Sequence, residues 1–173
     1  SFNSTFITPN SFNDEIITID NFNTRISDDG LSFKKDGNKF IVGIHITDVA
    51  SVIEPRNIID LQARQNFKTL YINNSIRLPI YDKQLENNMS LNQNKNHQTI
   101  SIYAVFNSSY ELVDYYLTKN NVKVLKNFNL SETEQLLEYK NLSNEFSRTI
   151  FGLYDIANNI NMNSKAKERY WKK

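Results

Sequence analysis

The chain has no cysteine, which excludes disulfides and thiolate metal sites. Neither charge is in excess: 20 basic residues stand against 19 acidic ones, so the molecule has no general attraction for nucleic acid. Any RNA contact has to come from a local patch. No apolar run approaches the ~20 residues that a membrane-spanning helix needs. The first thirteen residues lack the Arg-rich amphipathic character of a transit peptide. There is no initial Met, so the expectation is a processed chain or part of something longer. There is also no internal repeat.

What is present describes one ordinary domain, or a part of a larger one. The 173 residues are 39% hydrophobic and 12% aromatic, enough to bury a proper core. Asparagine makes up about one residue in seven, with Ile, Lys, Phe and Tyr abundant and Gly and Pro scarce. This is the codon bias of an AT-rich genome such as an organelle, endosymbiont or parasite. It is not a prion-like tract, because hydrophobic periodicity continues through the Asn-rich parts.

The periodicity predicts an α+β domain, a mostly antiparallel sheet followed by packed helices. Residues 16–19 and 39–49 read as strands, and the apolar run Ile41-Val42-Gly43-Ile44 suits a buried one. Pro55 opens a helix through about Phe67. A polar loop over 87–97 leads to the alternating strand 99–106. A turn at Asn107-Ser108-Ser109 leads back into 111–117, and 122–125 is a third short run. Ser131 and Glu134 form a capping box for a helix carrying Leu136, Leu137 and Leu142. Phe146, Ile150, Leu153, Tyr154, Ala157 and Ile160 mark a second helix, and the basic terminus 164–173 is helical too. The expected division is an extension at 1–14, a sheet portion with one helix at 15–127, and C-terminal helices at 128–173.

The most informative segment is Thr18-Ile19-Asp20-Asn21-Phe22-Asn23-Thr24-Arg25-Ile26-Ser27-Asp28-Asp29-Gly30. Its carboxylates, spaced 0, +8, +9 after a strand-like run, repel one another unless a cation compensates them. Mg²⁺ is held by one or two carboxylates plus substrate phosphates, so the cluster is a candidate site for phosphodiester chemistry. Asp-Asp-Gly before Leu31-Ser32-Phe33 is good turn chemistry in its own right, and spacing alone favours an acidic, solvated turn.

The order of the following segments bears on that choice. After Thr18-Ile19-Asp20 … Asp28-Asp29-Gly30 come Gly43-Ile44-His45-Ile46-Thr47-Asp48-Val49, then Asp60-Leu61-Gln62-Ala63-Arg64 with Lys68-Thr69-Leu70-Tyr71-Ile72. Leu78-Pro79-Ile80 … Met89-Ser90-Leu91-Asn92 follow. In this order the four segments resemble the catalytic domain of the RNase II/RNase R (RNB) family of 3′→5′ exoribonucleases. Ala166-Lys167-Glu168-Arg169-Tyr170-Trp171 resembles the segment that closes this domain in cyanobacterial and plastid-type members. The resemblance implies a shortened RNB-like domain. It lacks the middle portion whose Thr-Ser-Pro-Ile-Arg-Arg-Tyr motif lines the RNA channel, and loss of that part is the expectation. It further implies that Asp20, Asp28 and Asp29 are Mg²⁺ ligands, with Asp28 catalytic if the chain is active. The family's remaining motif acid is replaced by Ile26, and its Ala by Gly30.

Other residues carry two readings each. Arg64 and Lys68, four apart, share a helix face and meet either phosphate or solvent. Tyr71 either stacks on a base or packs in the core. The basic cluster around Arg169, with Tyr170 and Trp171, either lies along RNA or is a solvated helical tail. His45 in its strand reads as a structural histidine, Asp48 as a strand-end cap and His97 as a solvated loop residue. Three functions follow. The first is a degenerate family member retained as an RNA-binding or structural subunit of a larger assembly, and soluble. The second is an active exoribonuclease on single-stranded RNA, its site completed by another residue or a partner. The third is a protein-binding module without RNA affinity.

Overall fold

The computed structural model describes residues 13–72, 76–139 and 144–171, with side chains left out at 13, 71, 76 and 163–171. Five strands close a barrel: β1 (Asn13–Asp20), β2 (Asp29–Asp36), β3 (Lys39–Thr47), β6 (Asn96–Phe106) and β7 (Leu112–Asn129). Each neighbouring pair is antiparallel except β1 with β7, which is parallel. The parity requires this, because an odd number of alternating strands brings the first and last together running the same way. Between β3 and β6 lie a 3₁₀ turn (Val49–Ser51), α1 (Ile58–Asn66), the small hairpin of β4 (Leu70–Ile72) and β5 (Ile76–Leu78), and α2 (Lys83–Met89). After the barrel come α3 (Leu130–Glu138) and α4 (Ser147–Trp171).

Alternation along β1 explains the two-sided core. Ile16 faces into the barrel with Leu91, Val122 and Val124. Ile17 faces out, where Phe128 and Ile150 bury it beneath the helices, joined by Leu136, Leu137, Phe146 and Leu153. The barrel interior also carries polar groups. His45 is fully buried between Ser32 and Ser101, with Oγ atoms 2.9 Å from Nε2 and 2.8 Å from Nδ1. Tyr103 donates its hydroxyl to Asp14.

The mostly antiparallel sheet followed by helices agrees with the expected α+β class, and five local expectations need correction. Asp29 and Gly30 are not a turn, for they open β2. At Gly30 a Cβ would lie 2.5 Å from Ile16 Cδ1 and 3.3 Å from the Ile17 carbonyl oxygen, so this glycine serves close packing. The run 111–117 and the run 122–125 are one 18-residue strand, β7. The loop expected from residue 87 begins as the end of α2, whose N-cap Asp82 accepts from the Leu85 N–H. Helix α1 starts at Ile58 with Asn57 as its cap, three residues beyond Pro55. The capping box lies two residues earlier than expected. Asn129 accepts from the Glu132 N–H at 2.9 Å, and Glu132 accepts from the Asn129 N–H at 2.9 Å. Leu142 lies outside the described residues. Among the described residues, no helix is long and apolar enough to cross a membrane.

Candidate functional site

The strand β1 ends at Asp20, and the chain leaves it in a loop that is closed at its base. Asp20 Oδ2 accepts a hydrogen bond from Ser27 Oγ at 2.6 Å. Ser27 is held in turn by the exit of α2. Its N–H donates to Ser90 Oγ at 3.1 Å, and its carbonyl accepts from the Leu91 N–H at 2.7 Å. The next residue, Asp28, accepts on its carbonyl from the Thr47 N–H at 3.1 Å, and Thr47 Oγ1 donates to the Met89 carbonyl at 2.8 Å. The acidic motif, the end of β3 and α2 are thereby tied together.

They border a cleft of about 950 Å³, whose far wall carries Thr69, Arg77, Ile80 and Tyr81. Ile26 and Asp28 both line it, as residues two apart in extended chain do. Asp29, the next residue on, is not part of the lining, and neither is Asp20. Asp29 still senses the other two. Burial and the charges of Asp28 and Asp20 raise its carboxyl above the usual range. Among the described residues, no group of three or more His, Asp or Glu side chains gathers closely enough to hold a metal ion. Asp20 accepts from Ser27, Asp29 stands outside the cleft lining, and Ile26 places hydrocarbon where the family pattern has its remaining motif acid.

The sequence reading missed the strongest ionic feature of the cleft. Arg77 from β5 donates from Nη1 to Glu86 Oε2 at 2.7 Å and from Nη2 to Glu86 Oε1 at 2.5 Å. The side chains are 15% and 7% exposed, so this is a buried two-point pair joining the hairpin to α2. Helical spacing could not reveal it, since its partners sit on different elements. The cleft also takes Arg25 from the β1–β2 loop.

The predicted RNA contacts fall elsewhere. Arg64 lies on exposed helix surface, its Nε 3.0 Å from Asp60 Oδ2. Lys68 does not share its face, because α1 ends at Asn66 and Phe67 takes a positive φ of 66°. Neither lines the cleft. The Tyr71 side chain and the side chains of Arg169, Tyr170 and Trp171 lie outside the described residues, as does that of every basic residue from 165 onward. His45 is structural, as its strand context suggested, and burial lowers its pKa to about 4. His97 is not in a loop. It belongs to β6 and accepts from the Asn92 N–H at 3.1 Å. Asp48 makes no side-chain cap. Its buried carboxylate accepts from Lys119 Nζ at 3.0 Å.

Comparison with known proteins places this arrangement. The RNB domain family model matches residues 10–170. Ribonuclease R of Chlamydia muridarum is 26% identical over 143 residues, covering 81% of this chain and 20% of the relative. The chain thus spans about a fifth of that relative's length. Among solved structures, Mycoplasma genitalium RNase R in complex with ribose-methylated single-stranded RNA superposes with a TM-score of 0.80 at 17% identity. That match covers 88% of this chain and 25% of the other. Yeast Ssd1, described as a pseudonuclease, gives a TM-score of 0.72 at 16% identity, covering 86% of this chain and 19% of its own. These two likenesses establish the fold. With the family model covering nearly all of the sequence, the chain belongs to the RNB domain family.

Proposed function

We propose that the chain is an RNA-binding RNB module in which hydrolysis is weak or lost. The observation that carries this reading is the cleft itself. Asp28 is the one motif acid lining it, beside Ile26 where the family pattern has a fourth acid. Metal-assisted displacement relies on charge held at the reacting phosphate, and an apolar side chain in place of the fourth acid makes two ions harder to hold. The fold neighbour described as a pseudonuclease illustrates this scaffold without nuclease function. Single-stranded RNA is the ligand we assign, by analogy with the RNase R complex. The AT-biased composition suggests an organelle or a similarly reduced genome.

A second reading is an active hydrolase whose site is completed by another carboxylate or a partner chain. It draws on the coupling of Asp29 to Asp28 and Asp20, which a bound cation would relieve. A filter-binding titration of single-stranded RNA at two salt concentrations tests the leading proposal. Retention that weakens with salt supports it. Absence of retention at low salt would leave only a protein-binding role.

A further inference from the structure

An exposed aromatic ring stands on the β1–β2 loop, whose neighbouring residues border the cleft. The Thr24 N–H donates to the Asn21 carbonyl at 2.9 Å, closing a turn with Phe22 and Asn23 at its corners. Phe22 is 87% exposed, although a ring that size is ordinarily buried. Its neighbours Asn21, Asn23, Thr24 and Arg25 all line the cleft next to Asp28. Arg25 is exposed and makes no hydrogen bond or ion pair with a described residue. The Asp20–Ser27 hydrogen bond fastens the base of this loop, so ring and guanidinium are presented from a short, anchored segment.

From this juxtaposition we propose that the β1–β2 loop is the chain's own grip on single-stranded RNA, Phe22 stacking on a base and Arg25 meeting the adjoining phosphate. The inference rests on the RNA-binding reading above and names the residues that perform it. Every base offers a π-face, so the ring gives affinity without sequence preference. The cation adds the salt-dependent part.

Fluorescence anisotropy of a labelled oligouridylate, read at about 50 and about 200 mM salt, tests it on the full chain. Phe22→Ala should weaken binding about tenfold at both salts with an unchanged salt slope, and Phe22→Trp should restore it. Arg25→Met should reduce the salt slope by about one. Phe67, 83% exposed at the end of α1 and outside the cleft lining, is the control, and Phe67→Ala should bind as wild type does. Wild-type affinity in both Phe22→Ala and Arg25→Met overturns the grip while the RNA-binding reading stands. Equal loss in Phe22→Ala and Phe67→Ala overturns it too, because the effect would then be nonspecific. An unmutated chain that binds no RNA at either salt overturns the reading beneath it.

Discussion

Asp20 and Ser27 are joined by a 2.6 Å hydrogen bond that spans the β1–β2 loop. A carboxylate that the family pattern reserves for a cation is here the acceptor of a structural clasp. An amide oxygen still accepts the hydroxyl proton, more weakly, while losing the charge relieves repulsion from Asp29, so the two effects offset. Asp20→Asn should leave stability within a few tenths of a kcal/mol, whereas Ser27→Ala should cost about 1 kcal/mol. Urea denaturation of the two variants checks this. A large loss in Asp20→Asn alone would show that the charge has another partner.

The Arg77–Glu86 pair makes a sharper claim on stability. Both side chains are largely withdrawn from water, so removing one leaves the other charged and desolvated. Arg77→Met or Glu86→Leu should each cost about 3 kcal/mol, while the two together should recover most of it. Thermal unfolding of the three variants gives the coupling.

Acid sensitivity should come through His45. Its folded pKa is lowered to about 4 by burial, against 6.5 ordinarily, so the unfolded chain takes up the proton first. The stability tied to the neutral ring is complete above pH 6.5 and falls as pH drops toward 4, by about 2 kcal/mol at pH 5. Urea midpoints at pH 7 and pH 5 should differ accordingly, and His45→Gln should flatten the difference.

Gly30 predicts a compensated pair. The methyl that the family's Ala would add meets the tip of Ile16 at 2.5 Å. Gly30→Ala should therefore destabilise by roughly 1–2 kcal/mol through overpacking, and Ile16→Val in the same chain should return part of it. Additive losses in the double variant would show that the two residues do not compete for that space.

The sheet was legible where one strand carried its own signal. The alternation of Ile100, Ile102 and Ala104 locates β6 and the apolar run 41–44 locates β3, but not their faces. Ile44, Ile100 and Ile102 are exposed, contrary to the buried strand expected at 41–44, while His45, Thr99 and Ser101 are the buried residues. The strand β2 was hidden because Asp28-Asp29-Gly30 has turn chemistry, and the reason for the glycine lies on β1. Barrel closure was hidden because a parallel β1–β7 contact joins the two ends of the meander, with nothing local to announce it. The helix α2 has seven residues and few apolar ones, too little for a periodicity. The capping box slipped because Asn129-x-x-Glu132 and Ser131-x-x-Glu134 satisfy the same pattern, and the structure runs β7 through Asn129 and starts the helix at Leu130. Of the site, Asp28 and Ile26 could be read in sequence. Arg77 with Glu86 and the exposed ring of Phe22 could not, since pairing across elements and exposure arise from the fold.

The account is tested most directly by incubating 3′-labelled single-stranded RNA with the purified chain and Mg²⁺, beside the Asp28→Asn variant. RNA that is bound yet stays full length, alike for both proteins, is the predicted result. Release of mononucleotides by the unmutated chain, abolished in Asp28→Asn, would contradict it and restore the cleft as a working nuclease site.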